Sequence, residues 1–179
     1  MAEVRIIGGQ WKRSKLPVAD KPGLRPTPDR VRETLFNWLG QDLDGWRVLD
    51  AFAGSGALGF EAGSRGASEV QMLERDAQLA KSLQQSKTRL KAETLRIECT
   101  DAIGWMARCA PDRFELVMLD PPFGADLFAA ALQAATRIVV PTGLVYLEAD
   151  RDVSPPDGLE PLRAARAGTV HYGLFQRTA

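Results

Sequence analysis

The chain of 179 residues is long enough for one main domain with a small appendage, and its 45% hydrophobic and 26% charged residues are ordinary globular values. It shows no apolar run of membrane-spanning length and no signal peptide at its start, so we expect no membrane partner and a cytoplasmic location. Cys99 and Cys109 lack a C-x-x-C spacing and neighbouring histidines, so we expect no metal site and reduced, mostly packed thiols.

Charge is unevenly distributed along the chain, although 23 Lys/Arg and 23 Asp/Glu balance to a net charge of zero. Residues 1–39 carry eight Lys/Arg against four Asp/Glu, so the remainder is net acidic. A basic N-terminal portion favours contact with a polyanion such as a nucleic acid. Because the excess is modest, a solvated basic surface is the alternative.

Residues 4–17 predict two short strands about a Gly8-Gly9 bend. Trp11 lies among basic residues there. This mixture suits a hairpin that contacts phosphates and offers an aromatic ring to a base. Alternatively, Trp11 covers a small core and the neighbouring lysines are solvated. The residues alone leave both interpretations open.

A loop rich in proline and glycine, residues 18–26, precedes a predicted helix. Thr27 supplies a capping hydroxyl, Pro28 suits the first turn, and Asp29 lies near the positive end of the helix dipole. The helix is amphipathic, because apolar residues recur at helical spacing. Its apolar stripe consists of Val31, Leu35, Trp38 and Leu39.

The most informative stretch runs from Asp50 to Gly59, with the sequence Asp-Ala-Phe-Ala-Gly-Ser-Gly-Ala-Leu-Gly. An apolar run leads into the acid, three glycines follow at G-x-G-x-x-G spacing, and residues 57–64 can be helical. Such a strand, tight turn and helix N-terminus lets a ligand approach bare backbone, with amides that favour an anionic group. The motif fits both a dinucleotide and S-adenosylmethionine (SAM), so alone it does not distinguish them.

Strands and helices alternate from Val48 onward, which predicts a parallel sheet with right-handed crossovers and helices on both faces. The predicted strands cover residues 47–50, 69–74, 94–99, 115–120 and 143–149. The predicted helices cover residues 57–64, 77–91, 102–109 and 126–138. Residues 162–167 and 169–177 predict a terminal hairpin that adds an antiparallel strand at one edge. Ligands of such sheets bind beyond the carboxyl ends of the strands.

Four predicted strands deliver an acid to the same edge of the sheet, at Asp50, Glu74, Asp101 and Asp120. Core packing does not require this pattern, whereas each acid has a use around a nucleoside. Glu74 lies 20 positions after Gly54, where a carboxylate can accept both ribose hydroxyls and disfavours a ribose phosphate. Asp101 can accept from an adenine amine or cap the next helix. Asp50 can order the loop or meet a ligand ammonium through water.

The turn Asp120-Pro121-Pro122-Phe123 follows an apolar strand and favours chemistry on an amine. Two prolines make the turn rigid and leave its carbonyls free to accept. The Asp120 carboxylate and the Pro121 carbonyl would accept both hydrogens of a planar amine, and Phe123 would stack on its ring. The nitrogen lone pair would then point at a methyl donor, so positioning and electrostatics would supply catalysis. The alternative is a proline-terminated strand with a surface phenylalanine.

Several motifs together resemble a known family. Asp-x-Phe-x-Gly-x-Gly followed by Asp-Pro-Pro-Phe is similar to the amino-methyltransferases of the SAM-dependent Rossmann-like class. Three further stretches resemble the RsmD family, bacterial 16S ribosomal RNA (guanine-N2)-methyltransferases. They are Arg-Ile-Ile-Gly-Gly-x-Trp at residues 5–11, Leu-Arg-Pro-Thr-x-Asp-Arg-Val-Arg-Glu-Thr-Leu-Phe-Asn at 24–37, and Phe-Ala-Gly-Ser-Gly-Ala-Leu-Gly at 52–59.

The resemblance implies an α/β, Rossmann-like SAM-dependent methyltransferase fold. Its mostly parallel seven-stranded sheet would carry a C-terminal antiparallel hairpin and a small N-terminal β-hairpin and helix extension. Residues 1–40 would contact RNA, and residues 41–179 would form the methyltransferase domain. The implied reaction methylates N2 of one guanine in 16S rRNA and converts SAM to S-adenosylhomocysteine. The implied partner is an assembling small ribosomal subunit, and we expect a monomer.

The motifs and the resemblance together predict three groups of site residues. The catalytic group consists of Asp120, Pro121, Pro122 and Phe123. The cofactor-binding group consists of Asp50, Phe52, Ala53, Gly54, Ser55, Gly56, Glu74, Arg75, Asp101 and Ala102. The RNA-binding group consists of Arg5, Trp11, Lys12, Arg13, Arg25, Arg30 and Asn37.

Other functions fit the sequence less well. A DNA or protein-glutamine amino-methyltransferase would use the same turn, but the basic N-terminal portion favours nucleic acid and no separate target-recognition domain is evident. An RNA-binding or assembly protein without chemistry is disfavoured by the intact turn from Asp120 to Phe123. An NAD oxidoreductase fits least, because hydride transfer has no use for that turn.

Overall fold

The computed structural model describes residues 2–22 and 24–178, and its first elements form a small extension. Strands β1 (Ala2–Arg5) and β2 (Lys15–Val18) pair antiparallel. The predicted hairpin is therefore confirmed, although its strands begin at Ala2 and end at Val18 rather than lying within residues 4–17. Helix α1 (Asp29–Leu39) follows the predicted loop, in which Gly23 lies outside the described residues.

Seven further strands of the described residues form one sheet, which further helices cover. The strands are β3 (Arg47–Asp50), β4 (Glu69–Glu74), β5 (Leu95–Cys99), β6 (Phe114–Leu119), β7 (Val139–Ala149), β8 (Leu159–Ala167) and β9 (Val170–Arg177). The helices are α2 (Ala57–Ser64), α3 (Ala77–Leu90), α4 (Ala102–Arg108) and α5 (Phe128–Ile138). A short 3-10 turn, Phe123–Ala125, follows the two prolines. None of the helices in the described ranges is long and apolar enough to cross a membrane.

The strands lie in the order β5-β4-β3-β6-β7-β9-β8. The strands from β5 to β7 are parallel, and β9 pairs antiparallel with both β7 and β8. This confirms the mostly parallel seven-stranded sheet and its C-terminal hairpin. The chain order reverses at β3, which has β4 on one side and β6 on the other. Their carboxyl ends therefore form the switch point at which sheets of this kind bind ligands.

Hydrophobic side chains pack on both faces of the sheet, as parallel strands require. On one face, the N-terminal hairpin, α1 and α2 join a single cluster that includes Leu16, Leu35 and Phe60. On the other face, α4 and α5 contribute Met106 and Leu132 to a second cluster. The extension thus shares its core with the sheet, and the functional division at residue 40 stays a prediction.

One buried carboxylate connects the hairpin, α1 and α2. Arg32 of α1 is fully buried and donates to Glu61 of α2 at 3.2 Å and to the Arg5 carbonyl at 2.8 Å. The Glu61 carboxylate also accepts from the amides of Ile7 and Gly8, at 2.9 and 3.0 Å. Because a buried charge without its partner is costly, these contacts hold the hairpin loop against α2.

Two local expectations are wrong. Thr27 does not cap α1, because Pro28 occupies the N-cap position and the Thr27 hydroxyl is buried beside the carboxylates of other strands. Cys99 is exposed at the end of β5 rather than packed, whereas Cys109 is half-buried. Both errors concern the surroundings of a side chain, which local spacing does not report.

Candidate active site

A cavity of about 290 Å³ lies at the carboxyl ends of the parallel strands. The segments that line it are the glycine turn after β3, the end of β4, the start of α4, the turn after β6 and the loop before α1. Most of the predicted cofactor residues line it, together with the first part of the predicted catalytic turn. These residues are Phe52, Ala53, Gly54, Ser55, Glu74, Arg75, Asp101, Ala102, Asp120, Pro121 and Pro122.

The glycine turn has the backbone that its sequence predicts. Gly54 and Gly56 adopt positive φ values of 56° and 87°, which side chains rarely allow. The third glycine, Gly59, brings α2 close to the sheet, since a Cβ there would lie 3.0 Å from Asp50 Oδ2 and 2.8 Å from the Met72 methyl group. Gly56 is buried and lies outside the cavity lining. The turn therefore exposes the backbone of Gly54 while α2 packs directly on β3 and β4.

Asp50 lies behind the cavity wall and is buried. Its Oδ2 accepts from the Gly59 amide at 3.0 Å, so it orders the junction of β3 and α2. Its Oδ1 is buried without a hydrogen-bond partner in the described part of the chain. Burial, reinforced by the nearby charges of Glu74 and Glu148, raises the Asp50 pKa to about 7. Of its two predicted roles, ordering the loop is thus visible, and contact with a ligand ammonium stays a prediction.

Glu74 and Asp101 both line the cavity and both already accept backbone hydrogen bonds. Glu74 Oε1 accepts from the Gly54 amide at 2.9 Å, and Oε2 accepts from the Asp76 amide at 2.8 Å. Asp101 Oδ2 accepts from the Gly104 amide at 2.8 Å and caps α4. A carboxylate oxygen has more than one acceptor site. Each side chain can therefore keep its structural bond and still accept from a ligand.

The predicted catalytic turn contains a contact that its sequence does not predict. Arg25 donates through Nη2 to Asp120 Oδ1 at 2.8 Å and through Nη1 to Glu148 Oε1 at 3.4 Å. Its Cζ atom lies 3.7 Å from the centroid of the Phe123 ring. One guanidinium therefore pairs with two carboxylates and stacks on the aromatic ring of the turn. It occupies the place that the sequence assigns to a planar amine.

Glu148 contacts two residues of the cavity lining, Arg25 and Thr27, but is absent from the sequence-predicted set. It lies on β7, and its side chain has no exposed area. Its Oε2 accepts from the Tyr146 hydroxyl at 2.9 Å and from the Thr27 hydroxyl at 3.0 Å. The signal for it was present in the sequence, because Glu148 is an acid near the end of a predicted strand, like the four acids already noted.

Burial and mutual repulsion act on this carboxylate pair. The Asp120 side chain is 14% exposed beneath Arg25. Burial first and the Glu148 charge second raise the Asp120 pKa well above its ordinary value, and Arg25 opposes both. Burial also raises the pKa of Glu148, against the donors Tyr146, Arg25 and Thr27. Asp120 lines the cavity, whereas Glu148 lies outside its lining and reaches it through Arg25. A carboxyl with a raised pKa that lines a cavity is typical of functional sites.

The predicted RNA-binding residues are not gathered at the cavity, except for Arg25. The Trp11 ring packs edge-on against Phe60, with centroids 6.3 Å apart, and its backbone amide donates to the Ser64 hydroxyl. This contact agrees with the alternative interpretation, in which Trp11 covers a small core. A role for Trp11 in binding RNA stays a prediction. The exposed members are Arg5, Lys12, Arg13, Arg30 and Asn37.

The hairpin loop lies at the end of α2 that faces away from the cavity. The Gln10 amide donates to the Ser64 carbonyl at 2.8 Å, whereas Ala57 and Leu58 at the start of α2 line the cavity. An eight-residue helix is about 12 Å long. Any contact that Lys12 and Arg13 make with RNA is thus remote from the reacting base. Among residues 2–22 and 24–178, no three His, Cys, Asp or Glu side chains are grouped as metal ligands.

The family model described as conserved hypothetical protein 95 matches residues 4–176. Ribosomal RNA small subunit methyltransferase D of Escherichia coli strain K12 is 40% identical over 182 residues, covering 99% of this chain and 91% of the relative. The Haemophilus influenzae protein of that name is 40% identical over 181 residues, covering 97% of this chain and 94% of the relative. The solved structure of yhhF from Escherichia coli has a TM-score of 0.89 at 39% identity and covers 99% of both chains. The chain therefore belongs to the family of ribosomal RNA small subunit methyltransferase D, the RsmD family that its motifs resemble.

Proposed function

We propose that this chain transfers a methyl group from SAM to the exocyclic amine, N2, of one guanine in 16S rRNA. Family membership makes it an rRNA methyltransferase, and the base and atom are the finer assignment. The observation that carries the assignment is that one cavity is lined both by predicted cofactor-binding residues and by predicted catalytic residues. Gly54 and Glu74 line the donor part, and Asp120, Pro121 and Pro122 line the acceptor part.

The donor part fits SAM. The Gly54 turn has open backbone, and the helix amides beyond it favour a carboxylate. Glu74 keeps acceptor capacity for ribose hydroxyls, and Asp101 and Ala102 would contact the adenine. Phe52, Ala53, Ser55 and Arg75 complete this part of the lining. When bound, SAM supplies a methyl group on a positively charged sulfur that a neutral amine can attack.

The acceptor part would hold and orient the amine. The Asp120 carboxylate and the Pro121 carbonyl would accept its two hydrogens, and Phe123 would stack on the base. Because two acceptors draw the hydrogens into fixed directions, the nitrogen lone pair is aimed at the donor part. Burial raises the Asp120 pKa, so its carboxylate can take the proton that the amine releases after methylation.

The substrate would be rRNA within an assembling small ribosomal subunit, bound by a monomer of this chain in the cytoplasm. Lys12 and Arg13 are exposed on the hairpin, and Arg30 is exposed on α1. Because these side chains lie outside the cavity lining, they would contact phosphates around the target rather than the target base. The base itself would have to leave its stack to reach Asp120.

The test is nucleoside mass spectrometry of 16S rRNA from a strain that lacks the gene. We expect one N2-methylguanosine to disappear and to return when the gene is restored. Fragment mapping of the same rRNA would locate its position. An unchanged content of N2-methylguanosine, or loss of a methyl group from another base, would refute the proposed base and atom.

A further inference from the structure

The two terminal nitrogens of Arg25 contact different carboxylates. Nη2 faces Asp120 at 2.8 Å, Nη1 faces Glu148 at 3.4 Å, and the carbon between them lies 3.7 Å above the centre of the Phe123 ring. The cavity therefore already holds a flat group with two adjacent N–H donors. Asp120 and Phe123 are the residues predicted to hold the acceptor base.

Guanine contains the same chemical pattern. Its N1–H and its N2 amine are neighbouring donors on one carbon, C2, within a planar ring. If C2 takes the position of Arg25 Cζ, N2 faces Asp120 and N1–H faces Glu148. This placement keeps the amine on the catalytic turn and the ring on Phe123, as the proposed reaction requires.

We propose that Glu148 is a specificity-determining residue that accepts the N1–H of the target guanine, and that Arg25 holds this place when no base is bound. The assignment rests on the proposed function, since it takes guanine N2 as the methyl acceptor. It adds a second carboxylate to the acceptor part of the site, on a strand that the Asp-Pro-Pro-Phe motif does not include.

The contacts of Glu148 suit this role better than a structural one. Tyr146 and Thr27 both donate to Oε2, whereas Oε1 accepts only from Arg25 within the described residues. Once Arg25 leaves, Oε1 is the buried acceptor without a donor. A buried carboxylate is costly when it lacks a partner, so the site favours a ligand that supplies an N–H there.

The same contact rejects the other amine-bearing bases. Adenine has the acceptor N1 beside its N6 amine, and cytosine has the acceptor N3 beside its N4 amine. Either would place a lone pair against the Glu148 carboxylate, which leaves a buried acceptor unsatisfied and repelled. Sites that bind a substrate N–H strongly discriminate against analogues that lack it. Glu148 would therefore select guanine, while Asp120 serves any amine.

2-Aminopurine tests the proposal, because it keeps the C2 amine of guanine but has a bare N1. Small subunits would be assembled from 16S rRNA carrying either guanine or 2-aminopurine at the mapped position, and transfer from radiolabelled SAM would be measured. We expect the wild-type chain to prefer guanine by at least about tenfold in kcat/KM, the effect of a lost hydrogen bond to a charged group. Equal rates on both subunits would overturn the role of Glu148 while leaving guanine methylation in place. Failure to methylate the guanine subunits would instead overturn the proposed function.

Glu148→Gln separates specificity from structure, because its amide can donate to the bare N1 of 2-aminopurine. We expect this variant to lose activity on guanine and to narrow the preference for guanine by about tenfold. A structural residue would lower both rates equally, so an unchanged preference would overturn the proposal. Asp126→Asn is the matched control, since Asp126 is an exposed acid after the same turn, and its preference should equal that of the wild type. 2-Aminopurine also lacks the O6 of guanine, so an absent wild-type preference would overturn the role of Glu148 but a present one does not assign it. If Glu148→Gln does not fold, Glu148→Asp withdraws the carboxylate by one methylene and should narrow the preference for guanine, and an unchanged preference would overturn the proposal.

Discussion

The Arg25 guanidinium lies over the Phe123 ring, with 3.7 Å between its Cζ atom and the ring centroid. It also bridges Asp120, in the turn after β6, and Glu148, on β7. The acceptor end of the cavity is therefore filled by the chain's own side chain. In the proposed reaction, a target base would take this place only after the loop that carries Arg25 moves or its side chain turns away.

Replacing Arg25 by methionine should destabilise the chain more at pH 8 than at pH 5. Arg25 lowers the pKa of Asp120 and of Glu148, so its removal raises both values further above those of the unfolded chain. A carboxyl whose pKa is higher in the folded chain than in the unfolded chain lowers the free energy of unfolding as the pH rises through its folded-state pKa. We expect a loss of about 2 kcal/mol at pH 8 that shrinks at pH 5, measured by urea unfolding. Arg25→Lys keeps the positive charge, so its loss of unfolding free energy should depend less on pH. An equal loss for the methionine variant at pH 5 and pH 8 would contradict the prediction.

Asp120→Ala should abolish methyl transfer while SAM still binds. The Asp120 carboxylate faces the acceptor part of the cavity, where it contacts Arg25 and not the glycine turn. Radiolabelled transfer to unmethylated small subunits measures the first effect, and calorimetry with SAM measures the second. Asp126→Ala is the control and should retain transfer. Full activity of the Asp120 variant would refute its role, and loss of SAM binding would assign it to the donor part instead.

Glu74→Ala should weaken SAM binding by about 1.5–3 kcal/mol, the value of hydrogen bonds to a charged group. The same change releases the Gly54 and Asp76 amides, so the turn is also loosened. Glu74→Gln separates the two effects, because its amide oxygen can still accept from Gly54. We expect an intermediate affinity for glutamine by calorimetry. An unchanged affinity of the alanine variant would exclude the ribose contact.

Asp50→Asn should change how stability depends on pH. The Asp50 pKa is about 7 in the folded chain and near 3.8 in the unfolded chain, so wild-type stability falls as pH rises between these values. Asparagine does not ionise and lacks this fall. Relative to the wild type, the free energy of unfolding of the asparagine variant should therefore rise between pH 4 and pH 8. The rise is at most about 4 kcal/mol, at 1.36 kcal/mol per pKa unit. Parallel stability curves for the two proteins would show that Asp50 ionises normally.

Replacing Lys12 and Arg13 together by alanine should raise the KM for small subunits and flatten its salt dependence. Both side chains are exposed on the hairpin loop, and lost phosphate contacts reduce counterion release. SAM affinity should not change, because neither residue lines the cavity. Arg163→Ala with Arg166→Ala removes the same charge from the edge strand β8 as a control. Identical salt slopes for wild type and the hairpin variant would favour a solvated basic surface.

Local sequence patterns predict the elements of this fold well, because their physical causes are local. The strands Arg47–Asp50 and Glu69–Glu74 and the helix Ala57–Ser64 have the predicted bounds. Apolar runs, glycines and helix caps determine them without reference to distant residues. Most of the predicted cofactor residues line the cavity for the same reason, since parallel strands bring their carboxyl ends to one edge.

The network around Asp120 is not predictable in this way, because its members are distant in the chain. Arg25 lies 95 positions from Asp120 and 123 positions from Glu148. Thr27 is a residue type that often caps helices, yet its hydroxyl donates to Glu148. A buried carboxylate without a donor costs more free energy than an uncapped helix end that water can reach. Only the folded arrangement reveals that one guanidinium pairs with both carboxylates.

Glu61 ties the N-terminal hairpin loop to α2. Terminal segments normally fray independently of the domain to which they are attached. Here the amides of Ile7 and Gly8 and the guanidinium of Arg32 are held by one carboxylate on α2, the helix whose first residues line the cavity. Opening of α2 would therefore break the contacts that hold the hairpin loop. Occupancy of the cavity would protect the N-terminal loop from proteases that never approach the ligand.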